Sequence, residues 1–565
     1  MKHALRLFTC AAALSLAAAA QERVDLDTIY RIKQEAIQNS QVMDHMFQLT
    51  EVHGQRLTGS PNYKKAAEWA VKQLQEWGLK SARLEKWGPF GRAWQNERFA
   101  AHMLEPSYQP LIGFPLAWSK STDGVVAGEA VLAVILTEED MAKFKGKLKG
   151  KIVLTVPPRD IALPDRPLSS RYTDQQLAEI AAAPDMTPRT FGPGRAGGPG
   201  NFVQQMAFRK KLTSFWVEEA PAALIQHGYR NDGGTVAASS AGNRDPSTPL
   251  PPATIAITPE HYNRIYRLLN KNVPVKLEVE VRNQIGDTND DSYNVVADIP
   301  GTGKHKDEIV IIGGHLDSWH GGTGATDNAS GSSVMMEVIR VLTKLRLPLD
   351  RTVRIALWSG EEQGLLGSRA YVKEVFADPA TMKTTEAWDK LSAYYNIDNG
   401  GGKIRGIYLQ VNEAARPVFE AMLAPFKDMG AATVTIRNTT GTDHQAFDAV
   451  GLPGFQFIQD PLDYSTRTHH SNMDTYDRIQ RSDLVQMSTI LSSLVYHTAN
   501  RDQKIPRKTK PEPRPAGRGM GLSQPPKKPA GSGSPVQAIF GPCSHLRPAP
   551  LSQPSSSGAR SLVLV

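Results

Sequence analysis

Cysteine is nearly absent from this chain of 565 residues. It has two cysteines, Cys10 in an apolar N-terminal stretch and Cys543 in a proline-rich C-terminal stretch. The residues between them therefore contain no pair that could form an intramolecular disulfide. This excludes a small disulfide-stapled fold, whereas 40% hydrophobic residues in a chain of this length leave room for large cores.

Long hydrophobic runs are missing beyond the first twenty residues. Lys2 and Arg6 precede a short apolar stretch that ends at Ala20, a layout that predicts a secretory signal peptide over residues 1–20. No later stretch reaches the ~20 apolar residues that a transmembrane helix needs. We therefore expect a secreted or periplasmic protein with no integral membrane segment in its mature chain.

The body of the chain also lacks an excess of one charge. The formal net charge of +8 arises at the ends, because residues 501–565 hold 11 Lys+Arg against 2 Asp+Glu, and residues 21–500 hold 52 Lys+Arg against 55 Asp+Glu. A strongly basic surface is excluded, and we expect no nucleic-acid partner. Residues 501–565 also contain 12 of the 39 prolines and are predicted to be a disordered, basic, proline-rich tail.

Strand and helix patterns alternate in the second half of the chain. EIVIIGGH, a helical pattern after Ser330, and RTVRIALW predict a strand, a helix and a strand, and LSAYYNID and LPGFQFIQ add further strands. This pattern predicts an α/β domain with a mainly parallel central sheet flanked by helices. An amphipathic helix from Tyr63 to Leu79 needs the same sheet, so residues 21–117 and 287–500 are predicted to form one discontinuous domain. Residues 118–286, with β-prone pieces and many loops, are predicted to be inserted into it.

Side chains that commonly bind metal ions follow four of the predicted strands, at the edge where open α/β sheets carry their sites. They are His315 and Asp317 in HLDSW, Glu361 and Glu362 after IALWSG, Asp398 after SAYYNI, and His470 in HHSNMDTYD, and Asp327 precedes a helix in TDNASG. Taken singly, each could cap a helix or lie in solvent. Together they offer two imidazoles and three carboxylates as ligands for a pair of ions, with Asp327 as the candidate bridge and one carboxylate left as a base.

The motifs HLDSW, TDNASG, EEQGLLGS, NIDNGG and HHSNMDT resemble, in this order and spacing, the two-zinc exopeptidases that include bacterial leucyl aminopeptidases and carboxypeptidase Q. The likeness to the carboxypeptidase Q group extends to GQRLTGSPNY and to the insertion, which looks like a protease-associated domain. The resemblance implies the zinc exopeptidase fold, two Zn²⁺ ions per subunit, short peptides or dipeptides as substrates, and a possible homodimer.

The resemblance also implies a role for each site residue. One zinc ion would be held by His315 and Asp398 and the other by Glu362 and His470, with Asp327 shared between them. Glu361 would be the general base. In supporting roles, Asp317 would orient the His315 ring and Asp474 would act near His470, and either His444 or His469 could contact the substrate or compete with His470 as the ligand.

Other functions remain open from the sequence alone. An aminopeptidase is the main alternative, because TDNASG is closer to that group. A glutaminyl cyclase with a single zinc ion shares the fold but fits the set of Glu361, Glu362 and Asp398 less well. A non-catalytic, receptor-like binding module would have lost ligands, and here all five ligand positions are filled.

Overall fold

The computed structural model describes residues 22–182, 199–230, 232–286 and 292–513. The predicted signal peptide at residues 1–20, both cysteines and the tail beyond residue 513 lie outside the described residues. Among the described residues, no helix is both long enough and apolar enough to cross a membrane.

Eighteen strands are assigned in the described part of the chain. In chain order they are β1 Arg83–Lys86, β2 Trp94–Glu105, β3 Gln109–Pro110, β4 Gly113–Pro115, β5 Val125–Leu132, β6 Ile152–Leu154, β7 Ala223–His227, β8 Thr254–Ile257, β9 Lys276–Ile285, β10 Tyr293–Ile299, β11 Ile309–His315, β12 Thr352–Trp358, β13 Ala377–Asp378, β14 Lys383–Thr384, β15 Leu391–Asn396, β16 Ile404–Tyr408, β17 Thr433–Thr435 and β18 Gly454–Gln459.

Thirteen α-helices accompany the strands in the same part of the chain. They are α1 Leu26–Gln38, α2 Val42–Phe47, α3 Pro61–Glu76, α4 Glu138–Phe144, α5 Asp174–Ala181, α6 Pro199–Glu219, α7 Pro259–Asn270, α8 Ser330–Lys344, α9 Leu366–Val375, α10 Glu386–Lys390, α11 Arg416–Leu423, α12 His444–Asp448 and α13 Arg481–Asn500.

The first large sheet has the strand order β1-β10-β12-β11-β15-β18-β16-β17. Its four central strands, β12, β11, β15 and β18, run parallel, while β10 and β16 pair antiparallel with their central neighbours. The central strands are buried on both faces, as expected for a parallel sheet covered by helices. The predicted α/β fold with helices around a central sheet is confirmed, and the whole sheet is mixed because its edges are antiparallel.

Helices cover both faces of this sheet. Helices α1, α2, α8 and α13 pack together over one face, and α8 is buried almost all round because the other three helices enclose it. The aromatic side chains of Trp358, Tyr371, Phe376, Tyr394 and Phe447 form a second core on the opposite face.

Helix α3 shows why the predicted helix near the start of the chain ends where it does. The Ser60 hydroxyl accepts a hydrogen bond from the Tyr63 amide (3.2 Å), and Pro61 occupies the first turn. At the other end Gly78 has φ +96°, and the Leu79 amide donates to the Leu74 carbonyl (3.0 Å), which closes the helix with a left-handed cap.

A second eight-stranded sheet lies between Trp94 and Ile285, with the order β3-β2-β9-β5-β6-β7-β8-β4. It has its own apolar core, which includes Met103, Ile152, Ile225 and Leu277. Both sheets belong to one compact unit of the chain.

The residues just after α13 pack against the first sheet. Ile505 is 1% exposed, its amide donates to the Ser392 hydroxyl (3.3 Å), and the Arg507 guanidinium lies over the Trp388 ring. The described beginning of the predicted tail is therefore in contact with the folded body.

Candidate metal centre

The four parallel strands end at the same edge of the first sheet, and their ends bring the predicted site residues together. His315 is the last residue of β11, Glu361 follows β12, Asp398 follows β15, and the loop after β18 carries His470. Parallel strands expose this edge as a crevice in which side chains from distant parts of the chain can meet.

Asp327 joins the cluster from the turn before α8. The Asp327–Asn328 peptide bond is cis. The Asn328 side chain donates to the Ile397 carbonyl (2.7 Å) and accepts from the Gly331 amide (3.0 Å), which ties the turn to the end of β15. Gly331 has no room for a side chain, because a Cβ there would lie 2.4 Å from the Ile397 carbonyl oxygen.

The two carboxylate oxygens of Asp327 face two different histidines. Its Oδ1 lies 3.2 Å from His315 Nε2, and its Oδ2 lies 3.3 Å from His470 Nε2. On the outer sides, His315 Nε2 is 3.2 Å from Asp398 Oδ1, and His470 Nε2 is 2.9 Å from Glu362 Oε2. All five residues predicted as metal ligands therefore lie in one cluster, with Asp327 at its centre.

The cluster fits metal ions by geometry and by unsatisfied polar atoms. Ligand atoms bound to one tetrahedral ion lie ~3.3 Å apart, and the four distances between donor atoms are close to this value. Asp327 Oδ2 and Glu362 Oε1 are buried and receive no well-aligned hydrogen bond from the described residues, the 3.3 Å approach of His470 Nε2 to Asp327 Oδ2 included, although buried polar atoms rarely lack one. The donor atoms of His315, Asp327 and Asp398 lie within 4.8 Å of one another, and so do those of Asp327, His469 and His470.

The pKa values of the clustered side chains also indicate that the site suits positively charged ions. Burial, with added repulsion from Asp398, raises the pKa of Glu361 well above its usual range, and burial raises the pKa of Glu362 to about 7 despite the nearby His470. Although burial opposes it, the neighbouring carboxylates raise the pKa of both His315 and His470 well above 6.5. Bound cations would allow these carboxylates to be ionised together.

Backbone and side-chain contacts orient the histidine and the glutamates. The Nδ1 atom of the His315 ring lies 2.9 Å from the backbone carbonyl oxygen of Asp317 and 3.7 Å from its Oδ1. The Asp317 carboxylate also accepts hydrogen bonds from the amides of Glu361 and Glu362 (both 3.3 Å) and from the Thr58 hydroxyl (2.8 Å). Asp317 therefore fixes the turn that carries the two glutamates.

Asp474 fixes the turn that carries Asp327 through hydrogen bonds. Its carboxylate accepts hydrogen bonds from the Thr326 amide (2.6 Å), the Thr326 hydroxyl (2.8 Å) and the Asp327 amide (3.2 Å). Asp474 is 3% exposed, so it acts on the cluster through Asp327 rather than by contact with solvent or substrate.

The other two predicted histidines have different surroundings. His469 stacks on His470 with a centroid separation of 3.7 Å, and its Nε2 is 3.7 Å from Asp327 Oδ2. His444 belongs to neither group of metal-type donors in the described residues, and its Nε2 lies 3.0 Å from the Thr439 carbonyl oxygen. Burial lowers the pKa of His444 to about 4, so this ring is neutral at physiological pH.

Arg56 is a buried residue at the site to which sequence analysis gave no role. Its guanidinium donates to five backbone carbonyls, those of Leu49, Gly54, Leu316, Thr323 and Gly324. It thereby ties the loop after β11 to the turn that precedes Asp327. The motif GQRLTGS contains it, but only the folded chain gives the reason for an arginine there.

Two more residues reach the cluster from the second sheet. The Tyr229 hydroxyl is 3.3 Å from His470 Nδ1, and Arg230 contacts both the ring and the backbone carbonyl of His469. They lie about 240 residues earlier in the chain than the histidines, and no local pattern in the sequence marks them.

The chain is similar to known peptidases. Residues 294–495, which hold all five predicted ligands, match peptidase family M28. The chain is 25% identical to carboxypeptidase Q of Mus musculus over 462 residues, which is 81% of this chain and 86% of the relative.

Two solved structures share the fold. A peptidase M28 precursor from Shewanella amazonensis has a TM-score of 0.60 and 24% identity and covers 86% of this chain and 99% of its own. BSAP, a zinc aminopeptidase from Bacillus subtilis, has a TM-score of 0.51 and 19% identity and covers 82% of this chain and 96% of its own. The predicted resemblance to carboxypeptidase Q-like exopeptidases is confirmed, and the chain is a metallopeptidase whose residues 294–495 are similar to peptidase family M28.

Proposed function

We propose that this protein is an exopeptidase that uses two zinc ions to hydrolyse short peptides or dipeptides. The observation that carries the proposal is the position of Asp327, whose two oxygens face His315 on one side and His470 on the other (3.2 and 3.3 Å). A single ion would leave one of these histidines and its neighbouring carboxylate without a function.

In this proposal His315, Asp327 and Asp398 hold one ion, and Asp327, Glu362 and His470 hold the other. Histidine nitrogen and carboxylate oxygen are ligands that zinc commonly takes, and BSAP, which shares the fold, is described as a zinc enzyme. Bound zinc would lower the pKa of a water molecule and polarise the carbonyl of the scissile bond.

Glu361 is proposed as the general base. It is 9% exposed, its amide is held by Asp317, and among the described residues its carboxylate forms no ion pair with a histidine of the cluster, whereas Glu362 Oε2 lies 2.9 Å from His470 Nε2. Its carboxylate would take a proton from the attacking water and return that proton to the leaving amine. A carboxylate whose pKa is raised by burial can accept and release a proton near neutral pH.

The substrate class follows from the relatives. Carboxypeptidase Q, by its name, removes residues from the carboxyl end of peptides, and BSAP is described as an aminopeptidase. We propose carboxypeptidase Q-like cleavage, because that similarity spans 81% of the chain. An aminopeptidase is the competing outcome.

The substitution Glu361→Gln tests the proposal. We expect it to keep zinc, since the change removes no proposed ligand, but to lower kcat by about a thousandfold or more because the proton acceptor is gone. The matched variant Glu362→Gln should lose one of the two zinc ions as well as activity. Elemental analysis and peptide hydrolysis by both purified variants give the answer, and near-normal turnover by Glu361→Gln would remove Glu361 from the mechanism.

The wider organisation is proposed on the same basis. We propose that the insertion, predicted as residues 118–286, is a protease-associated-like domain and that it begins near Trp94, because β2, β3 and β4 share its sheet. The peptidase domain, predicted as residues 21–117 and 287–500, would then lose residues 94–117 to the insertion. Export through the signal peptide at residues 1–20, the disordered state of the tail within residues 501–565, and a homodimer remain predictions.

A further inference from the structure

A loop from the second sheet is bonded to the histidine loop of the metal centre. We call residues 229–238 the clamp loop. The Ala238 amide donates to the His470 carbonyl (3.2 Å), and Ala237 forms an isolated bridge with Ser471. The Asn472 side chain accepts from the Val236 amide (2.7 Å) and donates to the Gly234 carbonyl (3.1 Å).

The clamp loop places the positively charged side chain of Arg230 at the edge of the metal centre. Ala237 also forms a bridge with Arg230, so the loop holds the backbone of this arginine in register with the histidine loop. The Arg230 side chain donates through Nη2 to the His469 carbonyl (2.5 Å) and lies beside the ring of Tyr229. Its Nε is buried and has no hydrogen-bond partner in the described part of the chain. Among the described residues, no ion pair joins Arg230 to a carboxylate.

The unpaired N–H donor of the Arg230 guanidinium suits a carboxylate. A guanidinium offers five N–H donors in a planar fork, and a carboxylate can accept two of them in parallel. Buried N–H groups without partners are rare in folded proteins, so a free Nε–H beside an active site points to a group that binds there.

The distance between Arg230 and the metal centre limits which carboxylate of a bound peptide could reach this arginine. The imidazole of His469 lies between Arg230 Nη2 and Asp327. Arg230 Nη2 contacts Nδ1 of this ring, and the opposite nitrogen, Nε2, is 3.7 Å from Asp327 Oδ2. One peptide residue spans ~3.5 Å. A carboxylate one residue beyond the scissile carbonyl therefore lies within reach of Arg230 when that carbonyl is at the metal centre.

We propose that Arg230 binds the free carboxylate at the C-terminus of the substrate and so makes the enzyme remove the last residue of a peptide. The inference rests on the proposed function and names the residue that would set the direction of cleavage proposed there. Recognition of a free amino end would need an accessible carboxylate in its place. Asp443 is a carboxylate near Glu361 whose two oxygens receive no hydrogen bond from the described residues, but it is 0% exposed and cannot take that role without a rearrangement.

The first experiment uses the zinc-loaded wild-type protein and three substrates: alanylalanine, its N-acetyl form and its C-terminal amide. We expect the two substrates with a free carboxylate to be hydrolysed with kcat/KM at least about 100-fold above that of the amide, because charge-assisted hydrogen bonds contribute a factor of this size. Hydrolysis of the amide together with rejection of the N-acetyl form would overturn the inference and leave the proposed peptidase intact. No hydrolysis of any peptide would instead contradict the proposed function.

The second experiment compares Arg230→Ala and Arg230→Lys with Arg282→Ala. Arg282 is an exposed arginine of the same sheet that pairs with Glu97 at the surface (3.2 Å), so it is a matched control. Arg230→Ala should raise KM for the free-carboxylate substrates about 10- to 100-fold and leave the amide unaffected, with partial rescue in Arg230→Lys. An equal fall in kcat for all three substrates would mean that Arg230 only supports His469, and the inference would be wrong.

Discussion

At the scale of single residues, the centre depends as much on the residues behind the ligands as on the ligands. Asp317, Asp474 and Arg56 do not face the space between the histidines, yet each one accepts or donates several hydrogen bonds that fix a ligand-bearing turn. Such supporting contacts set the orientation of ligands, and their loss weakens metal binding even when every ligand remains.

Asp474→Asn tests this dependence. The asparagine keeps the shape of the side chain, but its NH2 group cannot accept where the second carboxylate oxygen did, so at least one of the three hydrogen bonds from Thr326 and Asp327 is lost. We expect zinc affinity to fall about 10- to 100-fold with an unchanged circular dichroism spectrum. Competition with a chromophoric chelator measures the affinity.

The control for this variant is Asp477→Asn, a change of the same type at an exposed position three residues later. It should bind zinc like the wild type. Equal affinities in the two variants would show that Asp474 does not position the Asp327 turn.

The ligands could be predicted from the sequence because they follow strands whose apolar patterns are plain, and parallel strands end at one edge. The supporting residues could not, since Arg56 meets backbone carbonyls from three separate segments, and Tyr229 reaches His470 from 241 positions away. The antiparallel edges of the first sheet could not be predicted either. Apolar runs reveal the central strands, whereas the direction of an edge strand depends on connections that the sequence pattern does not record.

At the scale of elements, the start of α8 is a tight junction. Residues from Ala325 to Gly331 pass beneath the end of β15, and Asn328 joins the two segments through Ile397 and Gly331. Helix α8 itself is buried by α1, α2 and α13, so it cannot shift outward to relieve crowding at its first turn.

Gly331→Ala should therefore disturb the junction. The new Cβ would lie 2.4 Å from the Ile397 carbonyl oxygen and 2.5 Å from Asn328 Oδ1, both too close for any real contact. We expect a loss of about 1 to 3 kcal/mol in the free energy of unfolding and weaker zinc binding. Urea denaturation of the metal-free protein and zinc titration are the measurements. Ser333→Ala in the same helix, where the buried hydroxyl has no partner, should change the stability little.

A buried ion cluster joins α8 to the two N-terminal helices. Arg340 donates to Glu337 (2.9 and 2.8 Å) and to Glu35 (2.6 Å), and His45 Nε2 lies 3.3 Å from Glu337. Burial alone would raise the pKa of Glu337, but the hydrogen bonds from His45 and Arg340 lower it below 4.5. The stabilising effect is therefore present above the ordinary glutamate pKa and lost as the pH falls through the lower, folded value.

Glu337→Gln should remove this dependence on pH. Near pH 7 the variant should unfold about 3 kcal/mol more easily, because Arg340 loses an ionised partner in a buried position. As the pH falls through the lowered pKa of Glu337, the difference from the wild type should shrink, since the wild-type carboxylate is then protonated as well. Urea denaturation across pH 3.5 to 7 measures it, with the surface residue Glu68 changed to Gln as the control. A difference that stays constant with pH would contradict the role of Glu337.

At the scale of the whole molecule, the metal centre joins segments that are far apart in the chain. The ligands lie between His315 and His470, and the clamp loop adds contacts from the second sheet. An ion that binds only the folded form stabilises the whole fold, and the free energy of unfolding then grows with the logarithm of the free metal concentration.

The dependence of the free energy of unfolding on free zinc concentration therefore shows how many ions are bound. Above saturation, each bound ion adds ~1.4 kcal/mol to the free energy of unfolding per tenfold rise in free zinc, so two ions add ~2.7 kcal/mol. We expect the slope for two ions in wild type and in Glu361→Gln, which keeps every proposed ligand. Glu362→Ala should show the slope for one ion, because it retains His315, Asp327 and Asp398 as a complete group. Urea denaturation in buffers of fixed free zinc provides the slopes, and a one-ion slope in the wild type would show that Asp327 does not bridge two ions.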